Sequence, residues 1–152
     1  MSTFYPRPGD LQEKWFVVDA KGEVVGRLAS RVAAVLRGKT LAGFHPAVNP
    51  NTHVVVLNAD KAILTGRKMK TKLYQTHSGY PGGFKERTAE QMAAKKPGEI
   101  VRIAIKGMLP KTRLGDVLLG NLKVYAGDKH PHSAQKPAAI NLTKRPRSTK
   151  EN

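Results

Sequence analysis

Trp15-Phe16-Val17-Val18-Asp19, then Val25-Gly26-Arg27-Leu28-Ala29-Ser30-Arg31-Val32-Ala33-Ala34-Val35-Leu36, then His53-Val54-Val55-Val56-Leu57: the reading of this stretch decides the fold. The first run is apolar, β-branched and aromatic, the composition of a buried strand. Lys21-Gly22-Glu23 turns the chain. From Val25 the period changes. Val25, Leu28, Val32 and Val35/Leu36 recur at three- and four-residue spacing, with Ala29 and Ala33 filling in. That is one face of an amphipathic helix of about three turns. Gly38 follows as a C-cap, and Arg37 and Lys39 suit the negative helix end. The third run is again continuously apolar, as in strands covered on both faces. Strand, helix and strand in this order predict an α/β fold with a mainly parallel sheet.

Outward from this unit the signals weaken. Residues 1–14 read as an irregular lead-in broken by Pro6, Pro8 and Gly9, and residues 40–51 as a loop with Gly43, Pro46 and Pro50. Lys61-Ala62-Ile63-Leu64-Thr65 reads as a third strand or a short helix, and residues 66–84 as a basic loop. Thr88, followed three residues later by Gln91, fits a capping box that opens a helix. Pro97 suits the first turn of the next helix, whose expected buried stripe is Ile100, Ile103, Ala104 and Gly107/Met108. Leu114, Val117, Leu118 and Leu122 predict one more helix, and Leu122-Lys123-Val124-Tyr125-Ala126 a last strand. The expected organisation is a lead-in at 1–14, an α/β core at 15–126 carrying the basic loop, and a basic extension at 127–152. The extension has little apolar periodicity and is expected to be mobile in the free protein.

Charge bounds the function. The chain carries 27 Lys+Arg against 11 Asp+Glu, a formal net of +16 on 152 residues. The cations come in separate bursts: Arg27/Arg31/Arg37/Lys39, Arg67/Lys68/Lys70/Lys72, Lys106/Lys111/Arg113 and Lys144/Arg145/Arg147. Basic clusters on several segments suit a polyanion that touches more than one face, which favours folded nucleic acid over a flat membrane. There is no cysteine, so disulfides and thiolate metal sites are excluded. No apolar run approaches the roughly 20 residues of a membrane helix. Met1 to Asp10 lack the apolar stretch of a signal peptide, so the expected compartment is the cytoplasm.

Motifs for catalysis mostly fail. Gly38-Lys39-Thr40 ends like a phosphate-binding loop, but Ala33 stands where that pattern needs glycine, and the tripeptide closes a helix rather than opening one. Asn141-Leu142-Thr143 matches a glycosylation acceptor, which carries no meaning in a cytoplasmic protein. His130-Pro131-His132 has only Asp128 nearby as a further metal ligand, so polar residues in an RNA-contacting loop are the better reading. Asp19 follows a strand and reads as a turn cap, because no nucleophile or second acid accompanies it. The segment 66–83 differs. Four cations at Arg67, Lys68, Lys70 and Lys72 precede Tyr74, His77 and Tyr80 among small residues. Cations neutralise phosphates, rings stack on unpaired bases, and glycine permits close backbone approach.

Several stretches, in order from about Trp15 to Pro137, resemble the L-thirteen family of large-subunit ribosomal proteins in its bacterial form. They are Trp15–Ala20 with Gly26-Arg27-Leu28-Ala29, Leu64-Thr65-Gly66, His77–Gly83, Lys106-Gly107-Met108-Leu109-Pro110-Lys111, Leu122–Gly127 and His130–Pro137. The resemblance implies a three-layer α/β/α core with a small, mainly parallel sheet. It implies a place on large-subunit ribosomal RNA beside neighbouring ribosomal proteins, and a role early in subunit assembly. It also implies that the protein can bind its own messenger RNA and repress translation. The candidate RNA contacts are Arg27, Arg31, Arg37, Lys39, Arg67, Lys68, Lys70, Lys72, Tyr74, His77, Tyr80, Lys106, Lys111, Arg113, Lys123, Lys129, His130, His132, Lys136, Lys144, Arg145 and Arg147. No catalysis, cofactor, metal, membrane or small-molecule substrate is expected. Two rivals share the charge. An RNA-modifying enzyme needs a cofactor loop or nucleophile, neither of which is found, and a DNA-packaging protein needs a helix-turn-helix or dimer-forming element.

Overall fold

The structure, a computed structural model, describes residues 5–7 and 10–140. In chain order it has β1 (Lys14–Asp19), α1 (Val25–Leu36), β2 (Thr52–Leu57), a 3₁₀ turn (Ala59–Lys61), α2 (Lys68–Thr71), β3 (Leu73–His77) and β4 (Phe84–Thr88). Then come α3 (Ala89–Lys95), α4 (Glu99–Met108), α5 (Arg113–Gly120), β5 (Leu122–Val124) and β6 (Ala138–Ala139). The main sheet has the order β5-β2-β1-β6, and all its pairings are parallel. The α/β fold expected from residues 15–57 is therefore the one observed.

Burial explains why these elements hold together. β1 and β2 pair along their whole length, setting Val18 beside Val56 and Trp15 beside His53. Val54, Val55 and Val56 are all fully buried, as a strand covered on both faces requires. On one face, Val18, Val54, Val56 and Leu122 meet Leu28, Val32 and Leu36 of α1, Val101 and Ile105 of α4, and Leu118 of α5. Each such fully buried aliphatic side chain contributes on the order of 1.5–3 kcal/mol relative to exposure. The stripe read from the period of α1 is buried at every position. Its end is closed by a Schellman pair: the Gly38 N–H donates to Val35 O at 2.9 Å and the Lys39 N–H to Ala34 O at 3.0 Å. Gly38 sits at φ 76°, and a Cβ there would collide with Pro50.

The other face of the sheet carries Trp15 and His53, whose rings stack with centroids 4.4 Å apart. The segment after β5 lies against them. His132 stands 5.1 Å from Trp15 and shares a 2.9 Å hydrogen bond with the Tyr125 hydroxyl. The Asp19 carboxylate, at the end of β1, accepts from the Lys21 N–H at 2.9 Å and from Asn58 Nδ2 at 3.0 Å, so it is the turn cap expected. Those two bonds hold its pKa below the ordinary carboxylate value.

Several expectations need correction. Residues 61–65 form neither a strand nor a helix of their own. The chain leaves the 3₁₀ turn and makes one isolated parallel bridge, Ile63 with Val24. The expected basic loop is ordered as α2 and the antiparallel hairpin β3–β4. Apart from half-buried Tyr74 and Thr88 its strands are exposed, so no apolar alternation announced them. The capping box at Thr88 and Gln91 is present and opens α3, but Pro97 precedes the Gly98 N-cap of α4 instead of lying in its first turn.

In α4 the buried residues are Ile100, Val101 and Ile105. Ile103 and Ala104 are only half-buried, and Gly107 and Met108 are exposed. The helix has two apolar stripes, and packing against α1 selects the other one. Leu122 belongs to β5, not to the preceding helix, and Val117 is exposed. The last strand is β6, inside the segment expected to be an extension. The Ile140 N–H donates to Val17 O at 2.9 Å, tying the near part of that segment to the sheet edge. Two alanines have no period to read.

Candidate nucleic-acid interface

Arg27 and Arg31 lie one turn apart on α1, away from its buried stripe; Arg27 is exposed and Arg31 half-buried. Arg37, the C-cap, holds its guanidinium 6.0 Å from the Phe44 ring, and Lys39 beyond it is exposed. Lys106 on α4, Lys111 before α5 and Arg113 at its start are exposed. These cations stand on different elements of one folded block.

The 66–84 segment is built from shorter range. Arg67 caps α2, and its carbonyl accepts from the N–H groups of Lys70 and Thr71 at 3.1 Å. Lys68 Nζ donates to Thr65 Oγ1 at 3.3 Å, Lys70 is free in solvent, and Lys72 Nζ lies 5.3 Å from the Tyr74 ring. Burial raises the pKa of Tyr74 above that of a free phenol, which keeps the ring neutral at physiological pH. At the hairpin end, the Gly79 N–H donates to His77 Nδ1 at 2.9 Å, and Tyr80 stands 75% exposed.

The hairpin register adds two residues that the sequence reading missed. Tyr74 pairs with Arg87 and Thr76 with Lys85, so these four side chains share one face. Arg87 and Lys85 alternate with Glu86, and that alternation was the available signal. On the opposite face Gln75 Nε2 donates to Glu86 Oε1 at 2.7 Å.

Other candidates are not gathered with these. Lys123, on β5, donates to Gly120 O at 3.0 Å, and it sits in register with Val55 on the Trp15–His53 face. His130 and His132 belong to the ring cluster there: the His132 N–H donates to His130 Nδ1 at 3.2 Å. They therefore have structural partners, and an RNA-loop reading of them alone misses that packing. Lys129 and Lys136 are exposed, Lys136 at φ 45°. Lys144, Arg145, Arg147 and the Asn141-Leu142-Thr143 motif lie outside the described residues.

Ion pairing is decisive for the electrostatics. The single close pair among the described residues is His53 Nε2 with Glu13 Oε1 at 3.1 Å. No described Lys or Arg lies within 4.0 Å of a described carboxylate. Neither a cluster of three metal-ligating side chains nor a helix long and apolar enough to cross a membrane is found among the described residues.

Fold and charge together define a class: a small basic α/β protein whose described cations are left uncommitted by its described acids. Comparison with known proteins gives the family. Residues 13–131 match the family model described as Ribosomal protein L13. The chain is 51% identical over 136 residues to the large ribosomal subunit protein uL13 of Thermotoga maritima, across 90% of this chain and 91% of that one. It is 49% identical over 137 residues to the uL13 of Chloroflexus aggregans, across 90% and 96%. With the uL13 of Brevibacillus brevis it shares 51% over 136 residues, across 90% and 94%. The chain belongs to the ribosomal protein L13 family.

Proposed function

We propose that this chain is a structural constituent of the large subunit of the bacterial cytoplasmic ribosome. In that role it binds large-subunit ribosomal RNA, lies beside neighbouring ribosomal proteins and supports early assembly. It is a structural protein and not an enzyme, in keeping with relatives that are large ribosomal subunit proteins. The observation that carries the reading is the dispersal of unpaired cations over α1, α2, the β3–β4 hairpin, α4 and α5. Cations with no internal carboxylate gain most from an external phosphate, and RNA helices packed side by side need such charge between their backbones. The rigid α/β block sets the distances between the patches, so it favours one arrangement of the RNA it grips.

The test is sedimentation. The protein should remain with large subunits after a high-salt wash, and folded large-subunit rRNA should displace it from its complex far better than duplex DNA. Release into the supernatant together with equal competition by DNA would overturn the reading. As a narrower proposal, the chain represses translation of its own messenger. A surface that reads the shape of folded RNA accepts a messenger segment folded like its rRNA site.

A further inference from the structure

Periodicity assigned Ile103 and Met108 to the core, yet the fold leaves them facing an open groove. The groove runs between the end of α4, the start of α1 and the Lys68–Tyr74 segment, and it measures about 700 Å³. That lies within the roughly 300–1,000 Å³ typical of small-ligand sites. Its walls are apolar: Ile63 and Met108 are each 47% exposed there, so together with Ile103 they leave an apolar patch open to solvent. Lys68, Lys72 and the Tyr74 ring line the remaining side, and no acid lines any part of it.

Two glycines sharpen the picture. Gly26 in α1 and Gly107 in α4 both line the groove. Neither has the positive φ that calls for glycine, and a Cβ added to either would meet nothing within 4 Å. Glycine is the least favourable helix residue after proline. With no demand from backbone or packing, bare backbone on two walls of one groove fits a partner that approaches closely.

We propose that this groove takes one unstacked nucleotide of the rRNA, with the base between the apolar walls and Tyr74 and the flanking phosphates on Lys68 and Lys72. The inference rests on the rRNA-binding function proposed above and gives that function a subsite. Charge chooses the occupant. An apolar slot edged by two lysines and free of acids suits a flat apolar ring carried on a polyanion, and disfavours a segment of another basic protein.

The experiment uses the full chain with large-subunit rRNA transcripts that each carry a photoreactive analogue of one of the four bases, which cross-links at contact distance under ultraviolet light. Cross-links to the 103–108 peptide or to Ile63-Leu64 are expected. Cross-links confined to other segments would overturn the inference. In parallel, Gly107→Leu fills the groove from α4 and Gly26→Leu from α1. Each should weaken rRNA binding roughly tenfold, with an unchanged salt slope and no fall in melting temperature. If neither variant folds, the cross-links on the unaltered chain decide. Absence of rRNA binding by the unaltered chain would overturn both this inference and the function beneath it. Normal rRNA binding by both variants would overturn the groove alone. So would variants that bind rRNA normally yet fail to enter large subunits, since the groove would then hold a protein segment.

Discussion

The indole of Trp15 lies on the imidazole of His53, centroids 4.4 Å apart and planes within 9°. Glu13 Oε1 accepts from Trp15 Nε1 at 2.9 Å and meets His53 Nε2 at 3.1 Å, so one carboxylate fixes both rings. His53 Nδ1 is buried and has no partner among the described residues. A second proton there finds no acceptor. Burial therefore lowers the pKa of His53 below the ordinary 6.5, outweighing the nearby Glu13 charge.

The sign of the pH effect follows. The unfolded chain binds a proton at His53 more readily than the folded one, so its contribution is full above pH 6.5 and is lost as pH falls toward the lower folded value. Thermal melts should show stability falling from pH 7 to pH 5, and His53→Phe should flatten that part of the profile. An equally steep profile in the variant would assign the effect elsewhere.

Val32 and Arg31 are neighbours in sequence with opposite fates. Val32 is fully buried, and Arg31 reaches solvent. Val32→Asp should destabilise the fold by several kcal/mol, through an unpaired charge in the core. Arg31→Ala should leave the melting temperature nearly unchanged and weaken rRNA binding. Unfolding by Arg31→Ala would make this arginine structural.

Replacing Arg67, Lys68, Lys70 and Lys72 together by alanine removes no buried side chain. Circular dichroism should stay native. The log–log salt slope of rRNA binding should fall by about 0.7–0.9 for each phosphate that these cations no longer neutralise. An unchanged slope would remove this segment from the interface.

Ending the chain at Gly127 deletes β6, the Tyr125–His132 bond and the ring packed on Trp15. The melting temperature should drop by several degrees, about 2–8 °C per kcal/mol of stability in a domain of this size. Hydrogen exchange on the free protein should show protection at the Ile140 amide, which donates to Val17. Exchange at the free-peptide rate there would restore the picture of a loose extension beginning at 127.

The parallel α/β unit and the face of α1 were legible in the sequence because each follows from local periodicity. A strand buried on both faces reads as Val54-Val55-Val56, and a helix stripe reads as Val25, Leu28, Val32 and Leu36, whatever surrounds them. Charge is a sum over residues, so the dispersal of cations was legible too. Tertiary structure decided what depends on partners distant in sequence. It chose which of two apolar stripes of α4 meets α1, and so turned Ile103 and Met108 into a groove wall. It paired Tyr74 with Arg87 through a register that an exposed hairpin does not advertise. It stacked Trp15 on His53, set the tilted His132 ring beside Trp15, and recruited Ala138 and Ala139 as an edge strand. Periodicity records which side of an element is apolar. Which neighbour covers that side, or whether any does, is set by packing over the whole chain.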